Sequence, residues 1–512
     1  MATNYFIGIG GTGARTAEAL VHLCGAGYGP DDLTIFLVDP DEGNGNLNRT
    51  KAAINGYQNA YAGFNERPER TDLLGTSLDA PDPLNWSIFK RRDVRLADHI
   101  GYQNLKSTQR DLADFANVLF SEEELDERLD EGFRGHPSIG ATVMSDPDAD
   151  ADPWRTFWND VENAGQPGEV RVFLAGSIFG GTGAAGIPTL GAPDMIKGDP
   201  KADIGEGSKV HLGAALVLPY FTFESGDHDR LFVTSSDFPI ATKAALQFYD
   251  EKELAFDEMY FVGDSLGQQV GEFSPGSRSQ ENRPHYIELT TALAAQDFFE
   301  QAGDGSGEGD QYFTAGRASR AVDWNALPVS RHPGAVQSRR NALKRTIVTT
   351  TAFSYAFLEY GLPILERSPD DVLDSWHRDH FHDGSWFGSG EAVDPRQPQQ
   401  KQQLERVGRY AWQFLEWITA LDEGEDGAVQ LVDGSKLVNA QNGALSLRDH
   451  ERYEHDIGSF LRESSSERDF NALLNELNDV QITSKSMSPS DKFVNLFYEA
   501  ARRFCQKNYE IA

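Results

Sequence analysis

Two glycine-rich segments, each directly after a short apolar run, constrain this chain more than any other feature. The first, Gly8-Ile9-Gly10-Gly11-Thr12-Gly13, overlaps the end of the apolar run 3–9 and precedes a helical pattern of apolar residues. The second, Gly180-Gly181-Thr182-Gly183, follows the apolar run 170–175. Glycine lets the backbone turn sharply after a strand, and the helix that follows presents free N–H groups to an anion. Both segments are therefore candidate phosphate-binding loops.

The order of the apolar segments predicts an α/β fold with a doubly wound, mostly parallel sheet. Alternating strand and helix patterns are typical of such a sheet, with helices on both faces. We predict strands at 3–9, 33–38, 170–175, 210–218 and 259–262, and helices at about 239–254 and 284–301. Residues 43–130 are polar, and we interpret them as an insertion at the edge of a first domain that spans residues 1–305.

The chain changes character after a Gly- and Asp-rich stretch at 303–310. Apolar residues recur at helical spacing in 338–366, 398–421 and 489–508. We therefore predict a mainly helical C-terminal domain over residues 306–512. Its expected role is assembly or the docking of a protein partner.

Composition narrows the classes of function. The chain has 80 acidic and 46 basic residues, a net charge of −34, which repels phosphate backbones and argues against general nucleic-acid binding. An uninterrupted apolar run long enough to span a membrane is missing, as is a secretory signal pattern. With only two cysteines, the expectation is a cytoplasmic chain, from either a high-salt or an ordinary acidic bacterial background.

The two loops carry a family resemblance. Gly180-Gly181-Thr182-Gly183-Ala184-Ala185 is similar to the signature loop of tubulin and of its bacterial cell-division homologue FtsZ, and the segment 10–13 resembles that family's first phosphate loop. The likeness covers roughly 3–40 and 130–305 and is greatest to divergent bacterial tubulin-like proteins. It implies GTP or GDP as ligand, with the phosphates enclosed by Gly10, Gly11, Thr12, Gly13, Gly180, Gly181, Thr182, Gly183 and Ala184.

Further contacts are implied by the same resemblance. Gly135 begins a segment similar to the loop that reaches the γ-phosphate, although His136 and Ser138 replace the usual Asn and Glu. Asp39 and Asp41 stand where the family has its second loop, so Asp39 is a predicted nucleotide contact and Asp41 a predicted Mg²⁺ ligand. Glu224 and Arg230 are the implied ribose contacts.

The predicted helix 284–301 resembles the central helix that recognises guanine in this family. Glu288, with His285 one turn before it, would bind the base, and Asn282 is the rival candidate. Hydrolysis in the family uses an acidic residue from the following loop. Asp304 and Asp310 lie in that region, as does Glu308, but the usual Asn-x-Asp pattern is not found. The resemblance therefore implies nucleotide binding and leaves slow GTPase activity, and filament or oligomer formation, open.

Two other functions remain alternatives. Gly8, Gly10, Gly13 and Asp39 also match the fingerprint of an NAD(P)-dependent Rossmann oxidoreductase. The chain could instead be a non-hydrolysing scaffold, and the likeness to tubulin-like proteins implies an assembly scaffold or switch, as in bacterial defence. A basic patch at a predicted helix start is either solvated or docks an acidic partner; its members are Arg339, Arg340, Lys344 and Arg345.

Overall fold

A parallel sheet forms the centre of the molecule in this computed structural model. The model describes residues 2–63, 73–86, 94–131, 133, 136–145, 152–164, 169–193, 195–196, 209–224, 238–264, 268–272, 282–301, 311–317, 322–367, 374–381, 393–394, 397–422, 429–441, 444–449, 458–462, 469–482 and 487–509. The strands are β1 Ala2–Ile9, β2 Asp32–Val38, β3 Ser77–Asp79, β4 Asn85–Trp86, β5 Glu169–Ser177, β6 Lys209–Val217, β7 Phe221–Glu224, β8 Glu258–Val262, β9 Gln268–Glu272, β10 Gln311–Ala315, β11 Val438–Gln441 and β12 Ala444–Leu447.

The order of strands in the main sheet is β10-β8-β6-β5-β1-β2-β3, with β4 also paired to β2. Its neighbouring strands are parallel throughout. β2 and β3 follow β1 on one side of the sheet, and β6, β8 and β10 follow β5 on the other side. The sheet therefore changes direction between β1 and β5, which is the switch point where open α/β sheets bind their ligands. The predicted α/β class and parallel sheet are confirmed.

Helices cover both faces of this sheet and form most of the regular structure after residue 335. They are α1 Gly10–Gly25, α2 Gly45–Tyr61, α3 Leu96–His99, α4 Tyr102–Thr108, α5 Arg110–Leu119, α6 Glu122–Leu125, α7 Pro137–Met144, α8 Trp154–Ala164, α9 Gly181–Leu190, α10 Phe238–Glu251, α11 Tyr286–Gln301, α12 Val336–Ala356, α13 Leu362–Ile364, α14 Ser375–Phe381, α15 Pro398–Asp422, α16 Phe470–Glu476 and α17 Pro489–Tyr509. A π-helical turn, Phe357–Gly361, joins α12 to α13.

Alternate side chains of the strands enter two separate apolar cores. On β1, Phe6 belongs to one core, whereas Tyr5, Ile7 and Ile9 belong to the other. Because strand side chains alternate between faces, each core covers one face of the sheet. The first core contains α1, α2 and α11 and continues without a break into α12, α15 and α17. The second contains residues of α5, α7, α8 and α10.

The second half of the chain is anchored to α1 through aromatic stacking. The ring of His22, near the end of α1, lies 5.0 Å from the ring of Trp417 and 5.9 Å from that of Tyr410, both on α15. Phe414 completes the enclosure at 6.0 Å. Burial lowers the pKa of His22 to about 3, so the ring packs as a neutral aromatic.

Several details differ from the sequence predictions. The polar segment 43–130 contains the helices α2 to α6, and α4 and α5 are separated at Gln109. Short strands within 43–130, β3 and β4, were not predicted, and both extend the main sheet beside β2. None of the helices in the described part of the chain has the length and apolarity needed to cross a bilayer.

Candidate functional site

The two glycine loops lie against each other at the carboxyl edge of the sheet. β1 ends at Ile9 and α1 begins at Gly10; β5 ends at Ser177 and α9 begins at Gly181. A Cβ atom built on Gly10 would be 3.3 Å from Cβ of Thr182. Gly10 also has a φ of +68°, a left-handed conformation that favours glycine. The starts of two helices therefore converge at the switch point of the sheet.

Two glycines allow this convergence by direct backbone contact. A Cβ on Gly13 would lie 2.5 Å from the carbonyl oxygen of Ala175, and one on Gly183 would lie 2.3 Å from that of Ser177. Each helix start can therefore approach a strand end only where the side chain is a hydrogen atom. Gly13 and Gly183 therefore allow the helices to pack against the strand ends. A ligand would depend on them only through this packing.

Gly11 has different surroundings. The nearest atoms to a Cβ built there are the Nδ2 atoms of Asn44 and Asn46, each at 3.7 Å, and a guanidinium nitrogen of Arg15 at 3.9 Å. These are ordinary contact distances, so a methyl group fits at Gly11 without moving the protein. The first loop is thus lined by amide and guanidinium donors.

The N-cap residues of α1 and α9 leave the first N–H groups of these helices uncapped. In the described part of the chain, neither α1 nor α9 receives a capping hydrogen bond from the side chain of its N-cap residue, Ile9 and Gly180. The first N–H groups of a helix have no partner within the helix, and they carry the positive end of its dipole. Two such ends at one place form an electropositive concavity suited to a phosphate chain.

Asp39 follows β2 and is held in place by Asn85. The Asp39 N–H donates to Oδ1 of Asn85 at 3.0 Å, and Nδ2 of Asn85 donates back to the Asp39 carbonyl at 2.8 Å. The Asp41 N–H donates to Oδ1 of Asp39 at 2.9 Å. Asp39 is only 4% exposed, and this burial raises the pKa of its carboxyl to about 7.

The acidic residues offer a limited metal site. Asp41 is buried, and its Oδ1 accepts the N–H of Gly43 at 3.0 Å. No group of three or more His, Cys, Asp or Glu side chains suited to a metal ion occurs among the described residues. Mg²⁺ commonly binds through one or two carboxylates, phosphate oxygens and water, so Asp39 and Asp41 fit such an ion only together with a bound phosphate.

A buried network behind the first loop was not predicted from the sequence. Nε of Arg15 donates to Oε1 of Glu288 at 2.8 Å, and the hydroxyl of Tyr220 donates to the same oxygen at 2.7 Å. Arg15 also donates to Oγ1 of Thr12 at 3.4 Å and to the Tyr220 hydroxyl. Burial alone would raise the pKa of Glu288, but the Arg15 charge outweighs it and lowers that pKa. Glu288 is therefore an ionised carboxylate locked to α1.

Amides connect the start of α2 to the segment before α11. The Asn282 N–H donates to Oδ1 of Asn46 at 2.8 Å, and Nδ2 of Asn46 donates to Oδ1 of Asn282 at 3.1 Å. Arg49 donates to the Asn282 carbonyl at 2.6 Å, and Arg15 donates to its Oδ1 at 3.3 Å. Asn282 is thus fixed beside the loop, where the sequence predicted a base contact.

His285 and Glu288 each retain an unused polar atom. Nδ1 of His285 accepts the N–H of Ile287 at 3.2 Å, so a neutral ring carries its proton on Nε2. Nε2 of His285 and Oε2 of Glu288 are both buried, and neither has a hydrogen-bond partner among the described residues. His285, just before α11, therefore holds an unused donor, and Glu288 in its first turn holds an unused acceptor.

The other predicted residues divide into two groups. Glu224 ends β7, but its side chain is not described, and Gly135, Arg230, Asp304, Glu308 and Asp310 lie outside the described residues. The basic patch at the start of α12 is partly used inside the protein: Arg339 donates to Asp297 at 2.7 Å and also pairs with Glu300.

Comparison with known proteins adds no family assignment. No protein-family model matches the chain, and no curated protein matches it with significance. Any statement of function therefore depends on the geometry and chemistry of the crevice between the two glycine loops.

Proposed function

We propose that this chain is a tubulin-like protein that binds GTP or GDP in the crevice between its two glycine loops. The observation that carries the proposal is the contact of two helix starts, at Gly10 and Thr182, at the switch point of the sheet. A single phosphate needs one such helix start, whereas a di- or triphosphate is long enough to use both.

The net negative charge of the protein makes this concavity important for binding a phosphate group. With a net charge of −34, the chain repels anions over most of its surface. The nearby guanidinium of Arg15 is neutralised by Glu288. Attraction for phosphate then comes from the N–H groups and dipoles of α1 and α9. A Mg²⁺ ion bound with the nucleotide, near Asp39 and Asp41, would offset part of the remaining repulsion.

Two unused atoms at the start of α11 can receive a purine base. Oε2 of Glu288 is an unused acceptor for the N1–H of guanine, and Nε2–H of His285 is an unused donor for its O6. Adenine could use the same two atoms in another orientation, so the preference for guanine comes from the likeness of Gly180–Ala185 to the tubulin loop. The amides of Asn44, Asn46 and Asn282 border the same region.

A dinucleotide enzyme is the second candidate, because the strand order and the spacing of Gly8, Gly10 and Gly13 suit NAD(P) as well. In such enzymes the carboxylate after the second strand binds the ribose hydroxyls. Asp39 occupies that position, but it is buried and already accepts the Asp41 N–H. NAD(P) binding also needs only the first glycine loop and gives no role to the approach of Gly10 to Thr182, which favours a mononucleotide.

Hydrolysis and assembly belong to the same proposal. Slow GTP turnover would require an acidic residue such as Asp304 or Asp310, and it would let the protein act as an assembly scaffold or switch, for example in bacterial defence. Nucleotide binding comes first, because both activities depend on it.

The test is thermal unfolding with Mg²⁺ and about 1 mM GTP, GDP, ATP or NAD, since a ligand at a hundredfold excess over Kd stabilises the native state by about 2.7 kcal/mol. We expect GTP and GDP to raise the melting temperature. Gly11→Ala, which fits the free protein, should reduce that rise by placing a methyl group on the loop surface. Gly334→Ala, at an exposed position with no atom within 4 Å, is the matched control.

Each other outcome has a definite meaning. A rise with NAD alone would replace the proposal with a dehydrogenase. A rise with GTP that Gly11→Ala leaves unchanged would place the nucleotide elsewhere. No rise with any nucleotide would leave a scaffold that has lost binding.

A further inference from the structure

α5 exposes an unusual amount of apolar surface. Four large side chains of this ten-residue helix are exposed: Leu112 at 49%, Phe115 at 58%, Val118 at 81% and Leu119 at 52%. Residues three and four apart lie on one side of a helix, so Leu112, Phe115 and Leu119 form one row and Val118 lies next to it. We name these four residues the α5 stripe.

The large apolar residues of α5 face the opposite way from those of an ordinary surface helix. Its buried residues are Ala113 and Ala116, which pack into the second core. A surface helix normally buries its large apolar residues and exposes small or polar ones. Here the two alanines contact the protein and the large apolar residues point away from it. Single exposed apolar residues need no explanation, but a contiguous exposed patch marks an interaction surface.

Acidic side chains border the stripe. Asp111 and Asp114 are exposed on α5, and they share a row with Val118 by the same spacing. Glu122 and Glu123 are exposed on α6, directly after α5. From Asp111 to Glu131 the sequence has nine acidic residues and one basic residue, Arg128. The surface therefore combines an apolar row with a negative border.

We propose that the α5 stripe is a docking site for a protein partner that presents an amphipathic helix with an apolar face flanked by lysine or arginine. The apolar faces would bury the stripe, and the basic flank would pair with Asp111 and Asp114. Helix-on-helix contact through i, i+3, i+7 positions is a recurring mode of recognition, and opposite charges at the rim fix the register. This surface is independent of the nucleotide site.

A second copy of the chain is a poorer occupant. An isologous pair of α5 helices would place the acidic rows of both copies in one interface, and each copy has a net charge of −34. Like charges across an interface oppose association. The border of the stripe therefore selects a basic partner.

The test uses the full chain and two synthetic amphipathic helices of about four turns, with leucine on one face in both. One peptide has lysine on the flank of that face, and the other has glutamate at the same positions. Fluorescence anisotropy should show binding of the lysine peptide and at least tenfold weaker binding of the glutamate peptide. Phe115→Ser with Val118→Ser should weaken the lysine peptide at least tenfold. Asp111→Asn with Asp114→Asn should remove most of the difference between the peptides.

Ile240→Ser is the matched control, because Ile240 is 71% exposed on a different helix, α10. It should leave the affinity for the lysine peptide unchanged, and circular dichroism should be the same for all variants. Three results would overturn the proposal: equal affinity for both peptides, equal loss with Ile240→Ser, or self-association of the wild type that the stripe variant abolishes. The last result would identify a second copy as the occupant.

Discussion

Replacing Asp39 with asparagine tests whether the crevice holds a buried carboxyl whose ionisation opposes folding. Burial raises the pKa of Asp39 to about 7 in the folded protein, against 3.8 for a free aspartate side chain. Asparagine has the same shape and retains an oxygen that can accept the Asp41 N–H. It removes the charge without removing that contact.

The direction in which stability changes with pH follows from proton binding. Between pH 3.8 and about 7 the folded state binds the Asp39 proton and the unfolded state does not, so the stability due to this group falls as pH rises. The raised pKa corresponds to a cost of up to about 4 kcal/mol above pH 7, at about 1.4 kcal/mol per pKa unit. At pH 5 the cost is about 2 kcal/mol by the same conversion. Asp39→Asn should therefore be more stable than the wild type, and by more at pH 8 than at pH 5.

Urea unfolding followed by tryptophan fluorescence measures this difference, because Trp86 is adjacent to Asn85, which holds Asp39. Asp250→Asn, an exposed substitution on α10, controls for the loss of one negative charge from an acidic protein. If Asp39→Asn is no more stable than the wild type at pH 8, or if its advantage is the same at both pH values, the carboxyl is not buried and protonated as we describe.

Three further predictions concern the supports of the site. Gly183→Ala should lower the free energy of unfolding by about 3 kcal/mol in urea, because its methyl group would overlap a backbone carbonyl. Arg15→Met should cost about 3 to 5 kcal/mol in the same assay by leaving Glu288 buried without its partner, and adding Glu288→Leu should recover more than half of the loss. Burial raises the pKa of Cys24 to about 12 and raises that of Cys505, so a thiol reagent at pH 8 should modify neither until urea unfolds the protein.

Each of these has a result that would contradict it. A Gly183→Ala protein as stable as Gly334→Ala would mean that α9 does not contact β5 closely. A double variant less stable than Arg15→Met would mean that the hydrogen bond from Tyr220 to Glu288 stabilises the fold more than the unpaired carboxylate destabilises it. Rapid labelling of either cysteine in the native protein would contradict the packing of α1 or α17.

The sheet was predictable from the sequence because its strands are buried on both faces. Such strands appear as unbroken apolar runs, and the runs at 3–9, 33–38 and 170–175 correspond to β1, β2 and β5. The edge strands β3 and β4 have three and two residues, too few for a pattern to be visible. β3 and β4 are strands only because they pair with β2, and the sequence alone does not predict that pairing.

The glycine loops were also predictable, whereas their surroundings were not. Glycine types and spacing are local, but the Arg15–Glu288 pair joins positions 273 residues apart. From the sequence, Glu288 was predicted as a base contact, with no sign that one of its oxygens accepts hydrogen bonds from Arg15 and Tyr220. Asn46 and Asn85 carried no local signal, because a single asparagine is common at helix starts and turns. The folded chain gives these residues their roles by bringing distant segments together.

The enclosure of His22 has a mechanical consequence. α1 has 16 residues, so it is a rod about 24 Å long at 1.5 Å per residue. One end carries Gly10 and the turn that we propose to bind phosphate, and the other end packs against Tyr410, Phe414 and Trp417. A tilt of about 5° at the first end would displace the second by about 2 Å, more than close-packed rings can absorb without moving. A tilt of α1 at its glycine end would therefore move the aromatic residues of α15 that pack on His22.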